Sequence, residues 1–440
     1  MTVQATRGLV CRVIAARQAL TRHATPGLRR HRTYASAGGH SPYTLVCPHF
    51  DTCSGCVLDK DLDQPPLLRV AQQFWKAEFG CSVTLHTGAV TGWRSRARLA
   101  VRGTPGSPKL GLFAAGTHEV VVVPHCPVHH PSLNAVAAAC LHTAIQLGTA
   151  PYEEKTRGGR LRYVQLETRG AQPGAQVDVT LVWCTDPGGT DAELLRFADV
   201  LRRTAPAGMV ANVWVNHNTQ PGNAIVDDRP QRWRHLSGDA GWHWERFGGA
   251  DVAFTPACFL QANYTAFEEL VTAGLGSGWA ADPSSCHVAD VYAGTGALGL
   301  SLLARGLCRQ LTAIEVTPGV AEAFDAAVSR LPAHMQDRAA MHVADAGGAD
   351  ALAILAASGA DVVVVDPPRK GLDTPLLQAL CDPHRLASVR RLLYVSCGFK
   401  ALQRDAVALR KQGWALEREP ACWQLFPGTD ALETVVHFVR

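Results

Sequence analysis

No apolar run in these 440 residues approaches the ~18 that a membrane-crossing helix needs, so no transmembrane helix is expected. No secretory hydrophobic segment is present either, so the 14 cysteines do not read as a disulfide framework. Cysteines scattered through a large chain of this kind are mostly buried thiols. The first 50 residues lack lysine and acid altogether and carry seven arginines: Arg7, Arg12, Arg17, Arg22, Arg29, Arg30 and Arg32. Setting those aside leaves 35 basic residues against 38 acidic ones, so the remainder is not globally basic. Any nucleic-acid contact must then come from a local patch. What the segment does contain, arginine spaced by alanine, threonine and serine and followed by Arg32-Thr-Tyr-Ala-Ser36, reads as a mitochondrial targeting segment over 1–40. A chloroplast transit peptide is the competing reading.

One group of cysteines is not scattered. Cys47, Cys53 and Cys56 form a C-x5-C-x2-C array, and Cys126, in His125-Cys126-Pro127, is the candidate fourth ligand. Four thiolates on short loops suit zinc or an iron–sulfur cluster. Structural zinc usually takes two close cysteine pairs and only one exists here, so the spacing favours a 4Fe–4S cluster, with zinc as the alternative. Beyond the array, 61–78 has helical character. Then Trp93-Arg94-Ser95-Arg96-Ala97-Arg98 alternates as a strand that would place three arginines on one face, a basic and aromatic strip suited to phosphate. Further basic groups occur at Arg157, Arg160 and Arg162 and at Arg232-Trp233-Arg234. Strand-like runs at 163–168, 177–183, 210–215 and 222–226 make 41–250 an α+β, RNA-binding domain carrying the cysteine motif.

From 251 to 440 the pattern changes to an α/β domain. Apolar runs at 286–292, 311–315, 339–343, 361–365 and 391–395 alternate with helical stretches at 297–305, 318–330, 348–357, 374–381 and 399–412, which predicts a mostly parallel sheet. Runs at 414–418 and 433–439 would close it as a hairpin. Asp290-Val-Tyr292-Ala-Gly294-Thr-Gly296-Ala-Leu-Gly299 ends the first strand and opens a helix, with Glu315 ending the next strand. Glycines there allow a tight turn and a close ligand, and a carboxylate at Glu315 can accept from both ribose hydroxyls. The loop alone also fits NAD. The acid-x-aromatic-x-Gly opening, together with Asp366-Pro-Pro at the end of the fourth strand, points instead to S-adenosylmethionine (SAM) in a class I, Rossmann-like methyltransferase sheet. Thirty-one positions after Asp366, Cys397 ends another apolar run and precedes a helix, where a thiol is expected to be shifted towards the thiolate. That makes it a candidate nucleophile.

Taken together, these motifs resemble the RNA uracil-C5 methyltransferases, which make 5-methyluridine in tRNA and rRNA. The resemblance runs from Cys47 to the C-terminus: the four cysteines, the Gly92-Trp-Arg-Ser-Arg-Ala-Arg98 strand, Phe259-Leu-Gln261-Ala-Asn263, the Tyr292 loop, Glu315, Asp366-Pro-Pro-Arg-Lys-Gly371, Tyr394-Val-Ser-Cys397, Arg404-Asp405, Phe426-Pro-Gly-Thr429 and Glu433-Thr434. It implies that Cys397 attacks C6 of the uracil and that Glu433 later removes the C5 proton. Gln261, Tyr292, Gly294, Gly296, Glu315 and Asp345 would hold SAM, and Asp366 would lie between SAM and uracil. The target base would be flipped out of its stack. An RNA partner is implied, rRNA rather than tRNA, with no membrane, a monomeric protein and no counterpart of the TRAM domain. The alternatives are a non-catalytic RNA-binding relative or a methyltransferase for another RNA base. Four positions depart from the family: Gly398 and Phe399 replace Asn-Pro after the cysteine, the segment before Phe426 reads Trp423-Gln424-Leu425 where an aspartate is usual, and Ala431 stands for a histidine.

Overall fold

The computed structural model describes residues 43–188, 192–222, 224–276 and 284–440. The expected targeting segment over 1–40 lies outside them. Tyr43–Arg440 is one compact unit with two large sheets and a two-stranded one formed by His243–Phe247 and Ala250–Phe254.

The larger sheet has the order Thr84–His86, Ala421–Trp423, Glu433–Val439, Arg391–Ser396, Val362–Val365, His287–Val291, Gln310–Glu315, Ala339–Val343. The strands from Arg391–Ser396 to Ala339–Val343 are parallel, and Glu433–Val439 pairs antiparallel with Arg391–Ser396. This is a class I methyltransferase-like α/β fold. Its central strands explain themselves: Val362 to Val365 are four buried β-branched residues in a row, the pattern of a strand covered on both faces. The covering helices Ala297–Ala304, Ala321–Ser329, Ala349–Ser358, Thr374–Cys381 and Phe399–Lys411 fall where the periodicity predicts them. The expected C-terminal hairpin is more elaborate. Ala415–Leu416 pairs with Glu433–Val439, and so does Ala421–Trp423. An early segment completes this layer: Thr84–His86 adds a parallel edge strand to Ala421–Trp423, and the helix Pro66–Phe79 buries Trp75 in the same core as Leu402, Trp414 and Phe438.

The smaller sheet runs Val120–Val122, Ser107–Phe113, Arg96–Thr104, Leu161–Thr168, Val177–Trp183, Val210–His217, Trp233–Ser237. It is antiparallel except between Val177–Trp183 and Val210–His217, the pair joined across the helix Ala192–Thr204. The strand expected at 222–226 is absent among the described residues. The Asn218 side chain donates to the carbonyls of Ala224 and Ile225 at 2.8 and 3.0 Å and takes the place of a ladder there. Among the described residues no helix is long and apolar enough to cross a membrane.

Candidate active site

Parallel strands deliver their last residues to one edge, where ligands of open α/β sheets bind. At the end of His287–Val291 the chain turns through Tyr292 at φ 65°, Gly294 at φ 54° and Gly296 at φ 85°. Left-handed backbone costs a tyrosine energy that a glycine avoids, so Tyr292 marks a turn held by its surroundings. Its hydroxyl donates to Asp373 at 3.1 Å and accepts from the Asp373 amide at 3.0 Å. Gly296 has no alternative, since a Cβ would lie 2.6 Å from the Phe324 ring, whereas Gly294 faces open space. Gly299 lets the following helix press onto the strand, and its amide donates to the buried Asp290 at 2.9 Å. Burial lifts the Asp290 carboxyl to about 7. At the next strand end, Glu315 accepts from the amides of Gly294 and Thr317, each at 2.9 Å. Asp345 is exposed beyond Ala339–Val343 and accepts from Gly347 at 3.2 Å. The sequence reading missed Val316, 59% exposed beside Glu315. An apolar side chain left open next to a carboxylate at a strand end can cover the flat face of a base, and its exposure is visible only in the fold.

The reactive groups follow on the other side. The register pairs Ser396 with Thr434 across antiparallel strands, so the next residues outward, Cys397 and Glu433, come out side by side at the sheet edge. Asp366, from the neighbouring strand, stands with them. Burial, then Glu433, then Asp366 push the Cys397 thiol up to about 11, and Arg369 works against them. This overturns the expected shift towards thiolate: Cys397 lies outside the helix Phe399–Lys411, and burial beside two carboxylates outweighs the helix end. Glu433 is buried, its Oε1 has no protein partner, and its carboxyl is lifted well above the usual range by burial and by Asp366. Burial lifts Asp366 itself to about 7. Like charges this close cannot all ionise, so the cluster retains protons near neutrality. Arg369, a cation that acts on both Cys397 and Glu433, received no role from the sequence.

Two of the family departures have physical reasons. A Cβ on Gly398 would lie 2.4 Å from the Arg369 carbonyl oxygen, so the Asp366–Arg369 turn occupies the space a side chain would need. Phe399 is buried and meets Phe74 edge-on at 5.9 Å, which anchors the Cys397 helix under Pro66–Phe79. Gln424 is buried with Nε2 unpartnered. Nothing in the structure explains Ala431.

The four cysteines line one cavity of about 490 Å3, together with Arg94, Arg96, Arg98, Phe259 and Gln261. Gln261 thus borders the cysteine cavity. Burial raises the Cys56 thiol to about 11, with Cys126, Cys47 and Cys53 adding to it, and Cys53 and Cys126 are raised as well. The thiols therefore face a common space. Even so, among the described residues no group of three or more histidine, cysteine, aspartate or glutamate side chains is gathered closely enough to hold a metal ion. The cysteine loop is tied to the segment before Glu433: the amides of Val57 and Leu58 both donate to the Gly428 carbonyl, at 2.8 and 3.0 Å.

The basic strip is not the open face expected. Arg96 is buried, paired with Glu167 at 2.7 Å, and donates to the Cys258 carbonyl at 3.2 Å. Arg94 lies over the Trp93 ring, 5.4 Å from its centre. Arg98 remains exposed and donates to Gln165 at 2.6 Å. Arg162 is also spent internally, on Glu154 and on the carbonyls of Gln220 and Gly222.

Comparison with known proteins agrees with this architecture. A family model described as Conserved hypothetical protein 95 matches residues 271–402. Among solved structures, the tRNA (uracil-54, C5)-methyltransferase of Pyrococcus abyssi in complex with S-adenosyl-L-homocysteine is similar, with a TM-score of 0.67 and 20% identity over 91% of this chain and 87% of that one. That likeness speaks to the fold. The 23S rRNA (uracil(1939)-C(5))-methyltransferase RlmD of Chromohalobacter salexigens is 28% identical over 422 residues, 90% of this chain and 76% of the relative. An uncharacterised RNA methyltransferase of Protochlamydia amoebophila is 33% identical over 402 residues, 91% of this chain and 99% of the relative. Identity at that level along nearly the whole of both chains means that the protein belongs to the RNA methyltransferase family.

Proposed function

We propose that the protein methylates C5 of a uridine in RNA, rRNA rather than tRNA, with SAM as the methyl donor. The observation that carries this reading is the register that sets Cys397 beside Glu433, with Asp366 next to them, the glycine turn two strands along from Cys397 and Glu315 three. C5 of uracil is a weak nucleophile. Attack by the Cys397 sulfur on C6 forms the S–C6 bond and moves the electron pair into an enolate, which makes C5 nucleophilic. SAM supplies the methyl group that C5 takes up. Glu433, once ionised, removes the C5 proton, the C5–C6 double bond re-forms, and the sulfur leaves. The Arg369 guanidinium favours the thiolate in the first step, against burial and the two carboxylates. Tyr292, Gly294, Gly296 and Glu315 would hold SAM, with Asp345 and Val316 at its outer end and Gln261 reaching it from the other side. The flipped uracil would lie between them and Cys397.

Cys47, Cys53, Cys56 and Cys126 would hold a 4Fe–4S cluster, or zinc. Their shared cavity and mutual influence support this, although they must draw closer to ligate. No step of the reaction runs through the cluster. The arginine-rich first 40 residues support an organellar address, mitochondrial before chloroplast, which a reporter fused to that segment tests.

The central experiment is covalent trapping. Wild-type protein with SAM and RNA containing 5-fluorouridine should give a stable protein–RNA adduct, because fluorine cannot leave as a proton does, and Cys397→Ala should give none. Wild-type protein that binds this RNA without forming an adduct would refute the covalent mechanism.

A further inference from the structure

Asp405 is fully buried in the helix that follows Cys397, out of reach of any substrate. Its Oδ2 accepts from the Leu372 amide at 3.0 Å and from the Tyr394 hydroxyl at 2.8 Å. Its Oδ1 accepts from Arg404 Nε at 2.8 Å and Nη2 at 2.7 Å, and that Nη2 also donates to the Lys370 carbonyl at 3.1 Å. A carboxylate thus spends its lone pairs on a loop amide, on the strand that carries Cys397, and on an arginine that grips the same loop. Gly371 completes the joint: at φ +83°, a Cβ there would lie 2.6 Å from Asp405 Oδ2 and 2.8 Å from Ala401 Cβ. The clasped loop is the one that begins at Asp366 and carries Arg369. Gly398 meets its middle at the Arg369 carbonyl, and Tyr292 holds its far end through Asp373.

We propose that Asp405 is a positioning residue: it clamps the Asp366–Asp373 loop onto the Cys397 helix, so that Asp366 and Arg369 are held at fixed places beside the nucleophile. The proposal rests on the C5-methyl-transfer reading for its catalytic meaning. A merely structural residue would lower stability and leave the chemistry of the folded protein alone, whereas a clamp alters the chemistry with ligand binding intact.

Asp405→Asn keeps the volume and removes the charge, and it sets an amide N–H against donors. In the trapping assay at saturating RNA, the rate of adduct formation should fall about a hundredfold, the scale expected for a displacement of ~1 Å. Affinity for S-adenosyl-L-homocysteine, measured by calorimetry, should stay within about threefold. Independently of RNA, the pH profile of Cys397 alkylation by iodoacetamide should shift from that of the wild type, because Asp366 and Arg369, which act on the thiol in opposite directions, no longer hold their places. If Asp405→Asn does not fold, Tyr394→Phe removes one donor from the same carboxylate and should show both changes at smaller size. An adduct rate and an alkylation profile at wild-type values in the folded variant would overturn the clamp. A wild-type protein that forms no adduct would sink the methyl-transfer reading instead and leave the alkylation profile to decide the clamp.

Discussion

Placing the asparagine usual in the resembling family after Cys397 should harm this protein. A Cβ at position 398 would stand 2.4 Å from the Arg369 carbonyl oxygen and 3.0 Å from its Cα. Carbon–oxygen contacts of this kind are comfortable at about 3.3–3.6 Å, so the turn or the helix must give by about 1 Å. The backbone at Gly398, φ −121° and ψ 77°, is open to other residues, so the cost comes from the clash alone. Overpacking of this sort costs about 1–3 kcal/mol of stability. The same shift moves Asp366 and Arg369 relative to Cys397, and misplacement by ~1 Å lowers a rate by about 10²-fold, or ~2.7 kcal/mol of barrier. Gly398→Ala and Gly398→Asn should therefore lose adduct formation with 5-fluorouridine RNA by that factor, with Asn no better than Ala, while denaturant unfolding shows only the modest stability loss. If Gly398→Asn reacts as fast as wild type, the packing explanation of this departure is wrong.

The remaining predictions touch the charges and the thiols. Glu433→Gln should allow methylation to start yet stall release, so that an adduct with ordinary RNA accumulates on denaturing gels, whereas unchanged turnover would remove Glu433 as the base. The same variant tests linkage. Unfolded carboxyls ionise near pH 4, while burial and Asp366 hold the native Glu433 carboxyl well above that range, so as pH rises from about 4 the native state binds more protons and loses stability. Glu433→Gln should melt with the wild type below about pH 4 and progressively above it as pH rises beyond that. Because Arg369 opposes the carboxylates at Cys397, Arg369→Ala should push the alkylation profile of the thiol further above its value of about 11. Arg96→Met leaves Glu167 buried and unpaired and should cost about 3–5 kcal/mol in urea unfolding, more than Arg96→Met/Glu167→Leu together.

How far the sequence carries depends on whether a signal is local. The strands and helices of the larger sheet were legible because buried β-branched runs and intervening helical periods are written in consecutive residues, as in 362–365 and 374–381. Cys397 and Glu433 were found by their motifs, but their adjacency is a property of register between strands 37 positions apart. The direction of the thiol shift was misread because a helix end is visible in sequence, while burial beside two carboxylates from other strands is not. Alternation put Arg94, Arg96 and Arg98 on one face; it could not reveal that Glu167, on the paired strand, neutralises the middle one. The run at 222–226 failed for the opposite reason, since the side-chain amide of Asn218 bonds the Ala224 and Ile225 carbonyls and that of Asn216 bonds Asp227 just beyond them.

The cysteine loop is tied to Glu433 and to the helix after Cys397 by backbone bonds and packing. Val57 and Leu58 hang on the Gly428 carbonyl, and Gly428, at φ 93°, leaves room for a sulfur: a Cβ there would meet Cys56 Sγ at 3.2 Å. Two residues on, Asp430 accepts from the Leu67 amide at 2.7 Å, at the start of the helix whose Phe74 meets Phe399 behind Cys397. The chain from the cysteines therefore reaches Glu433 through one turn and the Cys397 helix through one aromatic pair. A ligand that gathers the four sulfurs would tighten both routes at once, because the loop it orders is already bonded to each. A tie to Glu433 and Cys397 made of backbone hydrogen bonds and packing transmits position, so an ordered cysteine loop would act on those two residues through their placement.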